Sequence, residues 1–301
     1  MSLARAVVPG RTYMITRRCS ERRFFLRPDD ETNNAFIYCL GVAALKYGIQ
    51  IIFTATMSNH HHTGVLDVEG RLPDFLAHFH KLLAKHQNAL RGRWEAMWAS
   101  EQTSAVELVD PDDIFEKMVY ALANPVAGHL VEKADQWPGV SSLAATIANK
   151  PLSASRPKTF FRADGDMPPT VSLPLFLPSE LMPDSRAAFI SRLQERITLA
   201  EQTAAAERRE SGRRIVGRAA IRTQHWNDCP RSPEPRRVLD PRLACKNTWR
   251  RIEALARNKV WLEAYRRARE AFLTGATLAF PHGTFWLRRY AGVVCEPAEA
   301  S

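Results

Sequence analysis

Three consecutive histidines are the residues of this chain that point most directly to chemistry. His60, His61 and His62 follow a short polar turn at Asn59 and lie between two apolar runs of strand length. Because alternate side chains of a strand share a face, His60 and His62 present two imidazoles together and His61 points the other way. Such a pair can hold two positions on a divalent metal and leave others open for substrate. On composition alone, a surface histidine cluster is the alternative.

A tyrosine and an asparagine further along offer a nucleophile and a third ligand. Tyr120 and Asn124 are four residues apart in a helical run, so they lie above one another on one face. A residue before proline avoids the α region, so Pro125 predicts that the helix ends at Asn124, where the amide can turn toward a metal. The alternatives are a core tyrosine and an asparagine that only ends the helix.

These residues occur in an order and spacing that resembles the single-tyrosine HUH transposases, in the branch of REP-associated tyrosine transposases. Residues 57–62, Met-Ser-Asn-His-His-His, are similar to the family motif Met-Pro-Asn-His-x-His. Residues 120–126 are similar to its Tyr-x-x-x-Asn-Pro-Val motif, and residues 13–19, 22–26, 128–131 and 137–142 also resemble family segments. The likeness covers about the first half of the chain. Ser58 stands where proline is usual, and His61 stands where an apolar residue is usual.

The resemblance implies a reaction on single-stranded DNA near a hairpin. Tyr120 would attack a phosphodiester, form a 5′-phosphotyrosine and release a 3′-hydroxyl, with Mg²⁺ or Mn²⁺ held by His60, His62 and Asn124. This donor set is neutral, so we expect weak magnesium binding and stronger manganese binding. No nucleotide cofactor is expected, and a homodimer is left open. Two alternatives also stay open: a catalytically silent relative that regulates by binding structured DNA, and a replication or conjugation initiator with the same chemistry.

The predicted elements follow the split βαβ plan. Strands are predicted over residues 12–18, 48–57, 60–68 and 104–109, with helices over 29–47, 72–90 and 112–123. This order predicts an α+β, ferredoxin-like domain over residues 1–150, an antiparallel sheet with helices on one face, which is also the fold that the resemblance implies. Acidic residues at the start of the last helix (Asp110, Asp112, Asp113 and Glu116) are explained by capping rather than by a two-metal carboxylate centre.

Residues 151–301 are predicted to form a basic, mainly helical region that binds DNA or plays an accessory role. Six prolines interrupt residues 150–178, which indicates a linker or an extended wrapping segment. Helices are predicted over 184–209 and 247–274, an irregular stretch over 227–242, and a strand over 283–290.

The excess of basic over acidic residues lies entirely in this second half. Residues 1–150 hold 16 Lys and Arg against 16 Asp and Glu, and residues 151–301 hold 26 against 16, for a net charge of +10. Basic excess favours nucleic acid as the partner through counterion release, although arginine-rich helices can simply keep a protein soluble. The arginines predicted to contact DNA are Arg17, Arg18, Arg22 and Arg23 in the first half and Arg266, Arg267 and Arg269 in the second.

Cysteine usage and hydropathy predict a cytoplasmic protein with no membrane partner. The five cysteines are odd in number and no two have zinc-pair spacing, which favours reduced thiols. No apolar run reaches membrane-spanning length, and the N-terminus lacks the apolar core of a signal peptide.

Overall fold

A five-stranded sheet lies at the centre of the computed structural model, which describes residues 4–232 and 241–298. The strands of the chain are β1 Arg11–Arg18, β2 Ile49–Met57, β3 His60–Asp67, β4 Ser104–Leu108, β5 Leu152–Ser155, β6 Thr170–Leu173 and β7 Leu243–Ala244. The central sheet has the order β2-β3-β1-β4-β7. β1, β2, β3 and β4 pair antiparallel, and β7 joins β4 in parallel. The predicted antiparallel split βαβ sheet is confirmed, with β7 as an addition from the second half.

Eight α-helices accompany the strands in the described residues. They are α1 Asp30–Tyr47, α2 Leu72–Leu90, α3 Pro111–Ala127, α4 Leu143–Ala148, α5 Arg186–Ser211, α6 Arg218–Thr223, α7 Thr248–Leu273 and α8 Trp286–Ala291. α2 has the predicted bounds, and α1, α5 and α7 begin and end within two residues of them. No helix in the described ranges is both long and apolar enough to cross a membrane.

Helices cover both faces of the sheet. Tyr13 and Ile15 of β1 belong to the core on the α1 and α2 side, which includes Phe36 and Phe79. Met14, the residue between them, belongs to the core on the α3 and α5 side. The predicted placement of helices on one face therefore holds for α1 and α2, while α3 lies on the other. Because β1 and β2 carry apolar side chains on both faces, both faces must be covered.

The end of α3 differs from the sequence prediction. The helix does not end at Asn124 but continues through Pro125 to Ala127. Beyond the proline the turn still closes, since Gly128 N–H donates to the Asn124 carbonyl and Leu130 N–H donates to the Pro125 carbonyl, both at 2.9 Å. Pro125 removes only one donor of the last turn, and burial of Pro125 and the following Val126 holds that turn in place. Asn124 thus lies on the same face of α3 as Tyr120.

Residues 150–178 wrap around the preceding part of the chain rather than forming a bare linker. β5 and β6 form an antiparallel hairpin, and the hairpin packs on α1. The Tyr38 hydroxyl of α1 donates to the Pro168 carbonyl at 2.6 Å, and Val171 lies against Gly41. Of the two sequence interpretations, the wrapping segment is confirmed.

The predicted strand over residues 283–290 is wrong, because Trp286–Ala291 is the helix α8. Trp286 and Tyr290 lie four residues apart, which is helical spacing. The rings of Trp286 and Tyr290 stack at 5.6 Å with 12° between their planes.

The irregular stretch predicted over residues 227–242 is described only in part. No helix or strand is assigned to residues 227–232 or 241–242, and residues 233–240, including Pro233 and Pro235, lie outside the described residues. Arg242 brings the chain back to the sheet, where its carbonyl accepts from the Glu107 N–H at 2.9 Å just before β7. The domain boundary near residue 150 stays a prediction.

Candidate active site

The four predicted site residues meet where the start of β3 faces the last turns of α3. The rings of His60 and His62 lie 4.8 Å apart between centroids, at 78°. The Tyr120 ring lies 5.3 Å from that of His62, and the Asn124 amide nitrogen lies 3.2 Å from His62 Nε2. All four side chains lie on the same side of the sheet, because Tyr120 and Asn124 have helical spacing and His60 and His62 alternate along a strand.

His62 is held in one orientation by β1. Thr16 pairs directly with His62 across the β1–β3 ladder, and its hydroxyl lies 2.8 Å from His62 Nδ1. Because the Asn124 Nδ2 group is a donor, the His62 Nε2 is the acceptor of that bond, and the ring proton is on Nδ1. Sequence reasoning missed Thr16, since its role depends on strand register.

His60 is oriented in the same way by its neighbour. The Asn59 Oδ1 accepts a hydrogen bond from His60 Nδ1 at 2.7 Å, so the proton of the neutral His60 ring is on Nδ1. From sequence, Asn59 was interpreted mainly as a turn residue. A hydrogen bond that fixes the tautomer of an imidazole is what metal-binding histidines usually have. In their neutral forms, both histidines of the pair therefore carry the ring proton on Nδ1.

His61 has a different environment on the opposite face. It is fully buried, with Nδ1 3.0 Å from the Thr63 hydroxyl and Nε2 3.1 Å from His80 Nε2. The rings of Phe36, Phe79 and Trp98 surround it at centroid distances of 5.5 to 5.9 Å. Desolvation by burial, and then the neighbouring His80, hold the pKa of His61 well below its usual value. This imidazole stays neutral and supports the strand from behind.

Tyr120 is accessible, whereas two other tyrosines of the first half of the chain are buried. Half of the Tyr120 surface is exposed, 50%. Tyr13 is buried, and burial raises its pKa to about 12, while the buried Tyr38 is bonded to the Pro168 carbonyl. Lys117, one helical turn before Tyr120, places its ammonium 5.7 Å from the centre of the Tyr120 ring. Sequence reasoning missed Lys117, although its i, i+3 spacing was a usable signal.

The donor set fits a divalent metal. Two imidazoles, each hydrogen-bonded at Nδ1, lie together, and an amide is within hydrogen-bond distance of one of them. The Asn124 amide would offer Oδ1 to an ion once it rotates away from His62. The two imidazole nitrogens suit manganese better than magnesium, which prefers oxygen ligands.

A second group of potential ligands, Asp110, Asp113 and Cys245, lies elsewhere. These side chains are already engaged at the start of α3. The Cys245 thiol donates to Asp110 at 3.1 Å, the Lys246 N–H donates to Asp113 at 2.9 Å, and Arg250 forms an ion pair with Asp110. Asn124 is more than ten helical residues away, or roughly 20 Å. This group stabilises the helix start, as predicted for the acids, and is separate from the Tyr120 site.

The arginines predicted to contact DNA in the first half take part in several intramolecular contacts. The Arg17 guanidinium donates to the Thr103 hydroxyl at 2.8 Å and to two carbonyls of residues 99–101. Arg18 forms an ion pair with Glu101 at 3.7 Å. Arg22 and Arg23 donate to carbonyls of residues 232 and 227, at 2.7 and 2.8 Å. Arg17 thus positions a loop, and all four arginines are partly exposed.

The three predicted arginines of the second half, Arg266, Arg267 and Arg269, are exposed on α7. This helix is attached to the rest of the protein near its middle. Arg257 forms an ion pair with Glu107 at 2.5 Å, and the Trp261 indole donates to the His282 carbonyl at 2.7 Å. The charged face of α7 is therefore available to a polyanion, and DNA binding there stays a prediction.

Comparison with known proteins gives a structural match. No protein-family model and no curated protein matches the sequence. A solved structure of a REP-associated tyrosine transposase bound to a REP hairpin matches at 15% identity and a TM-score of 0.42. The match covers 49% of this chain and 86% of that one.

Proposed function

We propose that this protein cleaves and rejoins single-stranded DNA near a hairpin through a covalent intermediate on Tyr120. The observation that carries the proposal is the convergence of His60 and His62, each held by a hydrogen bond at Nδ1, on the helix that holds Asn124 and the exposed Tyr120. Both imidazoles are oriented from behind by a separate hydrogen bond, as a preformed metal site requires. The charge and resemblance of the chain both favour DNA as the substrate.

The reaction is a transesterification. The phenol oxygen of Tyr120 attacks a backbone phosphorus, the bond from phosphorus to the 3′-oxygen breaks, and the phenol proton leaves as the 3′-oxygen gains one. The products are a 5′-phosphotyrosine and a 3′-hydroxyl, and attack by another 3′-hydroxyl reverses the step and joins the strands. No phosphodiester energy is lost, because one ester replaces another.

The residues of the site divide this work. A divalent ion on His60, His62 and Asn124 would polarise the scissile phosphate. Tyr120, exposed beside them, can reach a phosphate bound there. The Lys117 ammonium beside the ring favours the negative charge that develops on the phenol oxygen. Positioning and charge stabilisation are the main needs of phosphoryl transfer.

The test is a cleavage assay on oligonucleotides that carry a hairpin with single-stranded flanks, in Mn²⁺, in Mg²⁺ and with EDTA. We expect a covalent protein–DNA adduct and a free 3′-hydroxyl fragment in Mn²⁺, a weaker signal in Mg²⁺ and none with EDTA. Tyr120→Phe should form no adduct. Its matched control is Tyr290→Phe, which alters an exposed tyrosine of α8 and should form the adduct as the natural protein does. Binding of the hairpin without any adduct in Mn²⁺ would instead indicate the catalytically silent regulator.

A further inference from the structure

The loop of residues 91–99, between α2 and β4, lies at the end of the sheet at which β3 begins with His60. Ser20 N–H donates to the Met97 carbonyl at 2.8 Å, and Ala99 N–H donates to the Arg18 carbonyl at 3.0 Å. Arg18 is the partner of His60 in the β1–β3 register. The loop therefore runs along the end of the sheet at which the histidine pair begins.

Trp94, in the middle of this loop, projects into solvent. It is 89% exposed, more than any other large apolar side chain in the described residues. Asn88 fixes the backbone on both sides of it, because its carbonyl accepts from Arg93 N–H at 2.8 Å and its amide donates to the Glu95 carbonyl at 2.9 Å. An indole held in water by an ordered backbone forgoes the burial that such a large ring normally gains. Trp94 lies within ~10 Å of the Met97 anchor, because three extended residues span no more.

The surroundings of Trp94 are cationic and aromatic. The Arg93 guanidinium lies 4.0 Å from the centre of the Phe25 ring and 5.7 Å from that of Trp226. Arg91 also lies 5.7 Å from the Trp226 ring. Arg22 and Arg23 lie in the neighbouring segment, where Arg23 forms an ion pair with Glu21 at 2.7 Å. Arg91 forms an ion pair with Asp29 at 3.7 Å, and Glu95 follows Trp94 in the chain. Arginine charge beside a stacking ring is the usual composition of a surface that binds single-stranded nucleic acid.

We propose that Trp94 stacks against an unpaired base of the DNA strand that enters the Tyr120 site, with Arg93 beside the adjoining phosphate. This proposal rests on the proposed function and extends it to the single-stranded flank of the substrate. A polyanion suits the cationic setting better than a second protein copy does. Interfaces between proteins usually bury a contiguous apolar patch, whereas Trp94 is followed by the exposed Glu95 and Ala96.

The experiment compares two Trp94 variants on two DNA molecules. One oligonucleotide is a hairpin with a single-stranded flank, and the other is the same hairpin without the flank. We expect Trp94→Ala to weaken binding of the flanked hairpin by about 5- to 150-fold, the range found for losing one stacked base. Trp94→Phe should restore most of the affinity, and the unflanked hairpin should bind equally to all variants. The dependence of log affinity on log salt should not change, because no charge is removed.

Trp249→Ala is the matched control, since Trp249 is 78% exposed at the start of α7 and lies ~25 Å along that helix from Arg266. It should leave the affinity for the flanked hairpin unchanged. Equal affinity of Trp94→Ala and the natural protein for the flanked hairpin would overturn the proposal. So would a loss of self-association in Trp94→Ala with unchanged DNA affinity, which would make this surface a protein interface.

The outcome is separable from that of the proposed function, which depends on the covalent adduct. A Trp94 effect without any adduct would leave the stacking surface in place and remove the chemistry. An adduct without a Trp94 effect would support the chemistry at Tyr120 and overturn the stacking role of Trp94.

Discussion

Replacement of His61 should separate the stability of the protein from its chemistry. His61 is fully buried against three aromatic rings, and it is bonded to the Thr63 hydroxyl and to His80. Truncating a buried ring of about this size costs roughly 3–5 kcal/mol, and buried polar partners left without a hydrogen bond cost about 1–3 kcal/mol more. Partial relaxation offsets some of this, so we expect His61→Ala to lose about 3–5 kcal/mol of unfolding free energy. That is a large share of the roughly 5–15 kcal/mol typical of a domain.

Urea unfolding followed by circular dichroism measures this loss, and cleavage per folded molecule is measured in parallel at low temperature. His60→Ala is the matched control. His60 is only half-buried, so we expect a stability change below about 1 kcal/mol and a loss of cleavage of ~100-fold or more, because a metal ligand is removed. His61→Ala should retain cleavage within several-fold.

Two outcomes would refute this reasoning. A His61→Ala protein as stable as the natural one would mean that the buried network does not exist. A stable His60→Ala protein with normal cleavage, alongside a folded and inactive His61→Ala protein, would mean that the histidines are assigned to the wrong faces.

Two further predictions concern acid and salt. Burial lowers the pKa of His80 from 6.5 to about 3, so the folded protein keeps this ring neutral while the unfolded chain takes up a proton below pH 6.5. The contribution of this group to the free energy of unfolding should therefore fall by about 1.4 kcal/mol per pH unit as the pH drops from 6.5 toward 3, or by about 2 kcal/mol at pH 5. In thermal melts, His80→Gln should lose less stability over this pH range than the natural protein. A second variant replaces the three exposed arginines of α7, Arg266, Arg267 and Arg269, by Gln. It should reduce the slope of log affinity against log salt by about one unit for each DNA phosphate that is no longer neutralised. An unchanged slope would mean that α7 is a scaffold and does not bind DNA.

Long periodic segments were predictable from the sequence, and pairings between distant segments were not. The helix over residues 72–90 was predicted with its observed bounds because an apolar stripe runs its whole length. The alternating faces of His60, His61 and His62 follow from the two-residue period of a strand alone. In contrast, the β7 strand has only two residues, too few for any periodic pattern, and it exists because β4 offers it an edge.

The site shows the same division. Its histidines, tyrosine and asparagine were identified from type and spacing, and the structure brings their side chains together. Thr16 could not be found in this way, because its contact with His62 depends on the register of two strands that are more than forty residues apart. The end of α3 was predicted from the local effect of Pro125, but packing of the following residues outweighs that local preference.

The central claim is that Tyr120 becomes covalently joined to DNA, and the most direct measurement is to locate the adduct by mass spectrometry. The protein is incubated with the flanked hairpin in Mn²⁺, denatured, digested with nuclease and protease, and searched for a peptide that carries a nucleotide. We predict that the nucleotide is on the peptide containing Tyr120, linked through a 5′-phosphate, and that Tyr120→Phe gives no modified peptide while still binding the hairpin. A nucleotide on any other residue, or an adduct that persists in Tyr120→Phe, would contradict the claim.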